Sequence, residues 1–203
     1  MSEASVRLDT GEVDAARLLR RGLRLEYATL AWNVVGSGIV LAAAVAARSV
    51  ALAGFGLDSL IEIVASLVVV WQLKGVAEER ERRALRIMGV AFVLLAIYIA
   101  GQPTFTLAAG SRPKESLVGI AWLALTVAAM FALAAGKART GRRLGSRVLE
   151  TEARVTAIDG YLAAAVLAGL VLNAAAGLWW ADPLAGFVIV VYGAREGRAA
   201  LRS

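Results

Sequence analysis

Long apolar runs alternate with short polar ones along most of the chain. Six apolar blocks can be drawn, at about 28–47, 51–73, 87–109, 116–136, 155–177 and 181–194. At ~1.5 Å per helical residue, each is roughly long enough to cross ~30 Å of hydrocarbon. The sixth is the shortest and is expected to continue as an interfacial helix through Arg195, Glu196 and Arg198. The pattern predicts an all-α membrane protein with six transmembrane helices, successive helices being antiparallel because the connectors are short. Three parts are expected: a cytoplasmic N-terminal segment 1–27, a six-helix transmembrane domain 28–194 and a short cytoplasmic tail 195–203. The polar N-terminus has no apolar core behind a basic start, so it does not read as a cleaved signal peptide.

Composition sharpens the picture. Of 203 residues, 59% are hydrophobic, yet only 7% are aromatic, so Ala, Val, Leu, Ile and Gly supply the excess. A soluble domain carries closer to half apolar residues. The net charge of +6 does not point to nucleic acid, because the basic residues cluster in short segments between apolar blocks. Arg7, Arg17, Arg20, Arg21 and Arg24 precede the first block, and Lys74, Arg80, Arg82, Arg83 and Arg86 separate the second from the third. Lys137, Arg139, Arg142, Arg143, Arg147 and Arg154 fall in the expected loop between blocks four and five, and Arg195, Arg198 and Arg202 in the tail. Only Arg48, Arg112 and Lys114 fall on the other side, a split of 19 against 3. By the positive-inside rule both termini are expected in the cytoplasm, with Trp179, Trp180, Asp182 and Pro183 at the outer interface. The membrane expected is a bacterial inner (cell) membrane.

The chain has no cysteine and no histidine. Disulfides, thiolate sites and imidazole chemistry are therefore excluded within it, and any proton or divalent-ion chemistry must rest on carboxylates. No nucleophile–base pair or phosphate loop is present, so no enzyme is expected. Ionised groups inside a bilayer are costly and mark function by default. Asp58 and Glu62 lie in Gly56-Leu-Asp-Ser-Leu-Ile-Glu-Ile-Val-Ala-Ser66, four apart and hence on one helix face. Such a pair either shares a proton, binds a cation or hydrogen-bonds neighbouring helices. Asp159, in Val155-Thr-Ala-Ile-Asp-Gly-Tyr161, is a third intramembrane acid or a snorkelling interfacial one. Asn33 is a neutral ligand or a packing hydrogen-bond donor. Gly36, Ser37, Gly38, Gly54 and Gly56 are small residues that let helices approach closely.

These residues resemble a family. The Ala-Gly-Phe-Gly-Leu-Asp-Ser-Leu-Ile-Glu run is similar to the second helix of the cation diffusion facilitators, proton-coupled divalent metal exporters with six helices and cytoplasmic termini. The segment from Ser146 through Glu152 to Asp159, then Trp179-Trp-Ala-Asp-Pro183 and Arg195-Glu-Gly197, resembles that family's last two helices. The resemblance implies a cation-efflux transmembrane-domain-like fold and a homodimer in the lipid bilayer. It implies Asp58, Glu62 and Asp159 as ligands of the transported metal; Asn33 is a further candidate, and Glu152, which sits among charged residues, is either a compensating ligand, a residue lining the entrance or a simple surface acid. The family's other fifth-helix ligand position falls on Val155, and its cytoplasmic C-terminal domain has no counterpart before Ser203. For Asp58 and Asp159 to share one level, the fifth span must begin earlier than its apolar block, near Ser146 to Glu152. The substrate would be a divalent metal exchanged for protons, with no permanently bound cofactor. An oxygen-only ligand set suits Mn²⁺, Fe²⁺ or Co²⁺, with Zn²⁺ also accepted. The alternative is a non-transporting metal-binding or accessory membrane protein of the same fold.

Overall fold

In the computed structural model, the structure describes residues 3–74 and 114–178, together with Arg83, Arg86, Ile87, Val90, Val93, Ile97, Gly101, Ala108, Trp180 and Ala181. Apart from those single positions, the third and sixth apolar blocks and the tail lie outside the described residues. So do Arg112, Trp179, Asp182 and Pro183.

Four helices make up the described core: α1 (Glu3–Ala47), α2 (Val50–Leu73), α3 (Leu117–Leu144) and α4 (Arg147–Ala176). They correspond to apolar blocks one, two, four and five. All four carry stretches long and apolar enough to cross a membrane, at Val13–Ala47, Ala51–Leu73, Leu117–Leu144 and Arg147–Ala176. α1 contains no proline and runs unbroken from its polar, Arg-rich start into the first apolar block.

Serine starts three of the helices. Ser49, Ser116 and Ser146 each accept a hydrogen bond on the side-chain oxygen, from the backbone N–H of Leu52, Gly119 and Leu149 respectively. Each thereby satisfies one of the amide groups that a helix leaves unpaired at its N-terminus. The turns are tight. Between α1 and α2 only Arg48 and Ser49 intervene, and Arg48 adopts φ 52°, a left-handed conformation at a non-glycine residue. Between α3 and α4 only Gly145 and Ser146 intervene; Gly145 takes φ 67°, and Ser146 N–H returns to the Gly141 carbonyl at 3.0 Å. A glycine in this conformation is a common helix stop.

The basic segment expected as a loop between blocks four and five is thus almost wholly helical. Apolar content falls away at Lys137, but the helix continues to Leu144, and α4 opens at Arg147, eight residues before the apolar block drawn at 155. Lys137, expected in that loop, lies inside α3 and is fully buried. The backbone hydrogen bonds and the capping residues decide where these helices end, and hydropathy does not.

α1 and α2 form one antiparallel hairpin and α3 and α4 another; α1 packs on α3, and α2 on α4. At the α1–α3 contact, Trp32 and Trp122 stack with centroids 4.9 Å apart, and Trp32 Nε1 donates to Thr126 Oγ1 at 3.2 Å. Two apolar clusters divide the interior. One includes Val40, Ala44, Ala47, Leu52, Phe55, Leu123, Leu162 and Val166. The other comprises Val69, Leu73, Val148, Leu149, Val155 and Ile158. The outer face of α2 presents Leu57, Leu60, Val64, Leu67 and Trp71, all exposed, at successive helical turns. Apolar groups outside and polar groups inside suit hydrocarbon as the surrounding solvent.

The α3–α4 hairpin closes on Gly141. A Cβ there would stand 3.0 Å from the Glu150 backbone nitrogen and 2.9 Å from its Cγ. Gly141→Ala is expected to lower the thermal unfolding midpoint in detergent, at a cost of about 1–3 kcal/mol from overpacking. Gly38→Ala, at a position with nothing within 4 Å, is the matched control and should be neutral or slightly stabilising.

Candidate cation site

Beside the two apolar clusters runs a band of buried polar residues to which all four helices contribute. α2 supplies Asp58, Glu62 and Ser66, spaced four apart and all buried. α4 supplies Glu152, Thr156 and Asp159, and α1 supplies Glu26 and Asn33; all of these are buried too. α3 supplies Lys137, at 0% exposure. Because neighbouring helices run antiparallel, Asp58 on α2 is level with Asp159 on α4, and Ser66 with Glu152. The two levels stand ~10–12 Å apart along the helix axes.

At one level the carboxyl groups of Asp58 and Asp159 lie against each other, with Glu62 within electrostatic reach of Asp159. Asn33 Nδ2 donates to Glu62 Oε2 at 3.3 Å, which ties α1 to this group. Four carboxylate oxygens here have no hydrogen-bond partner: Asp58 Oδ1, Glu62 Oε1 and both oxygens of Asp159. Buried acceptors of this kind are costly unless something supplies positive charge or a proton. Among the described residues, no group of three or more carboxylates is drawn closely enough together to hold a metal ion. The structure therefore brings the expected Asp58, Glu62, Asp159 and Asn33 into one buried neighbourhood without closing them round a single point.

At the other level a lysine occupies the centre. Lys137 Nζ donates to Glu152 Oε1 at 3.1 Å and to Thr156 Oγ1 at 3.0 Å. It also lies 3.1 Å from Glu26 Oε2, an ion pair without an aligned hydrogen bond. Ser66 Oγ stands 3.5 Å from the same Glu152 oxygen. Glu152, weighed from sequence as a further ligand or a surface acid, is fully buried and engaged by this ammonium group. Val155, at the position where the resemblance expects a ligand, packs in the apolar cluster with Val69 and Ile158.

Sequence reasoning passed over Glu26, Ser66, Lys137 and Thr156. A signal for Glu26 was present: it stands seven residues before Asn33, on the same helix face, but just outside the apolar block. Lys137 carried no such signal, because its partners come from α1 and α4.

No family model matches the chain. Among curated proteins, it is similar to Transmembrane protein 163 of Xenopus laevis, at 26% identity over 202 aligned residues, covering 94% of this chain and 70% of that protein. With the four apolar helices, this similarity identifies the chain as an integral membrane protein.

Glu152→Ala removes the hydrogen bond that Lys137 donates to a carboxylate but leaves its ion pair with Glu26. It should therefore cost about 1.5–3 kcal/mol of stability, the range for a hydrogen bond to a charged group, read as a drop in the thermal midpoint of the purified protein in detergent. Ser66→Ala, which loses only a 3.5 Å contact, should cost less than ~1 kcal/mol.

Proposed function

We propose that the chain transports divalent metal cations, exchanging them for protons through the buried carboxylates of Asp58, Glu62 and Asp159. One observation carries this reading: four carboxylate oxygens from two helices are buried without hydrogen-bond partners in the interior of a membrane protein. Such groups gain most from a partner that arrives and leaves, either a proton or a metal ion. A divalent ion entering the site displaces protons from the carboxylates that bind it, and protons returning release the ion, so the two fluxes are linked. Asn33 holds Glu62 in position by its amide hydrogen bond. The apolar clusters beside the site keep water from bridging it to both faces at once, as alternating access requires.

In this reading the chain has the six-helix cation-efflux architecture and works as a homodimer, each protomer holding its own path. The side carrying most of the basic residues is the cytoplasmic one. The metal preference leans toward Mn²⁺, Fe²⁺ or Co²⁺, because every side-chain ligand is an oxygen. A second reading, a metal-binding or accessory membrane protein that does not transport, is favoured by the separation of the carboxylates in this conformation.

Flux into proteoliposomes separates the two. The protein should carry Mn²⁺ in a manner that depends on an imposed pH gradient. Asp58→Asn and Asp159→Asn should each reduce that flux to the level of protein-free vesicles while expression and detergent elution volume stay unchanged. Wild-type protein that binds Mn²⁺ but shows no flux would select the accessory reading.

A further inference from the structure

Lys137 is the only lysine or arginine among the described residues that is wholly buried. Its ammonium nitrogen is surrounded by three oxygens at nearly one distance: Glu26 Oε2 at 3.1 Å, Glu152 Oε1 at 3.1 Å and Thr156 Oγ1 at 3.0 Å. These come from two helices other than the lysine's own. Glu26 Oε1 and Glu152 Oε2 are buried at the same place with no hydrogen-bond partner, so the cage holds more acceptor capacity than the ammonium uses. Two carboxylates and a hydroxyl round one point form an oxygen donor set for a hard cation, and oxygen donors of this kind suit Mn²⁺ or Mg²⁺. A contraction of about 0.4–1.1 Å per ligand would bring them to the ~2.0–2.6 Å typical of such ions.

We propose that Glu26, Glu152 and Thr156 form a second cation site, which the chain fills with its own Lys137 ammonium. The tethered charge offsets one of the two carboxylate charges without recruiting a free ion, and it excludes a second divalent ion from the path. The Asp58–Asp159 level, ~10 Å away along α4, is then left to a single ion. Arginine would not replace lysine here, since a planar guanidinium fork does not fit a cage that converges on one point. The inference rests on the reading above only for that first ion; the cage itself stands on the contacts of Lys137.

The test is the number of Mn²⁺ ions bound per chain by purified protein, measured by calorimetric titration. Wild type should bind one. Lys137→Met, expressed and purified with Mn²⁺ present throughout, should bind two, and its thermal midpoint should rise on Mn²⁺ addition by more than that of wild type. Lys137→Gln, which keeps a hydrogen-bond donor for Thr156, provides the same vacancy if the methionine variant is unstable. Adding Glu26→Gln to either variant should return the count to one, because a lone carboxylate does not retain the extra ion.

Variants that bind no more Mn²⁺ than wild type would overturn the proposal. So would an extra ion that persists after Glu26→Gln, or the failure of both lysine variants to fold even with Mn²⁺ supplied. Wild type binding none and Lys137→Met binding one would uphold the cage while removing the first site, and with it the transport reading.

Discussion

The contact between Lys137 and the carboxylates of Glu26 and Glu152 constrains everything around it. An ammonium group and two carboxylates removed from water lose hydration worth several kcal/mol each, and their mutual attraction offsets this only when the geometry is close. Here the three groups meet within 3.1 Å, from three different helices, at zero exposure. No single helix or hairpin can satisfy that requirement. α1, α3 and α4 must all be docked before the lysine is neutralised, so the ion pair ties the two hairpins into one body.

The capping residues set the register that this contact needs. A slip of one helical turn moves a side chain by ~5.4 Å, enough to part Lys137 from Glu152 altogether. The two-residue turn at Gly145–Ser146 fixes where α4 starts relative to the end of α3, and the Arg48–Ser49 turn does the same for α2 relative to α1. Gly141 lets the second hairpin close to backbone contact. The result is an interior with one apolar cluster beyond the Asp58–Asp159 level and a second that runs alongside the Lys137 level, with Val155 and Ile158 between Glu152 and Asp159 on α4. Asp58, Glu62, Lys137, Glu152 and Asp159 all face the interior while Leu60, Val64 and Leu67 are turned outward, which keeps these groups away from hydrocarbon.

Much of this was legible in the sequence, for identifiable reasons. Asp58 and Glu62 stand inside an apolar run, where an ionised group is costly, and the four-residue spacing assigns them one face. The helical character of four blocks followed from length and hydropathy. The early start of α4, near Ser146, followed from the family resemblance, which implies that Asp159 is level with Asp58. What was not legible depends on other helices. Lys137 sits at the first charged position after an apolar block, where a hydropathy profile places a loop. Its burial is decided by Glu26 and Glu152, more than a hundred residues apart from each other in sequence. Thr156 and Ser66 look like ordinary small polar residues in a membrane helix until the lysine is seen beside them.

The central claim is that the carboxylates of Asp58 and Asp159 are a cation site. Anomalous diffraction at the manganese edge, from crystals of the protein grown in lipid with Mn²⁺, tests it most directly. The account predicts an anomalous peak between the Asp58 and Asp159 carboxyl groups, with Glu62 drawn toward it and Lys137 still paired with Glu152. A map with no peak between those two aspartates, at Mn²⁺ concentrations that saturate binding in solution, would contradict it.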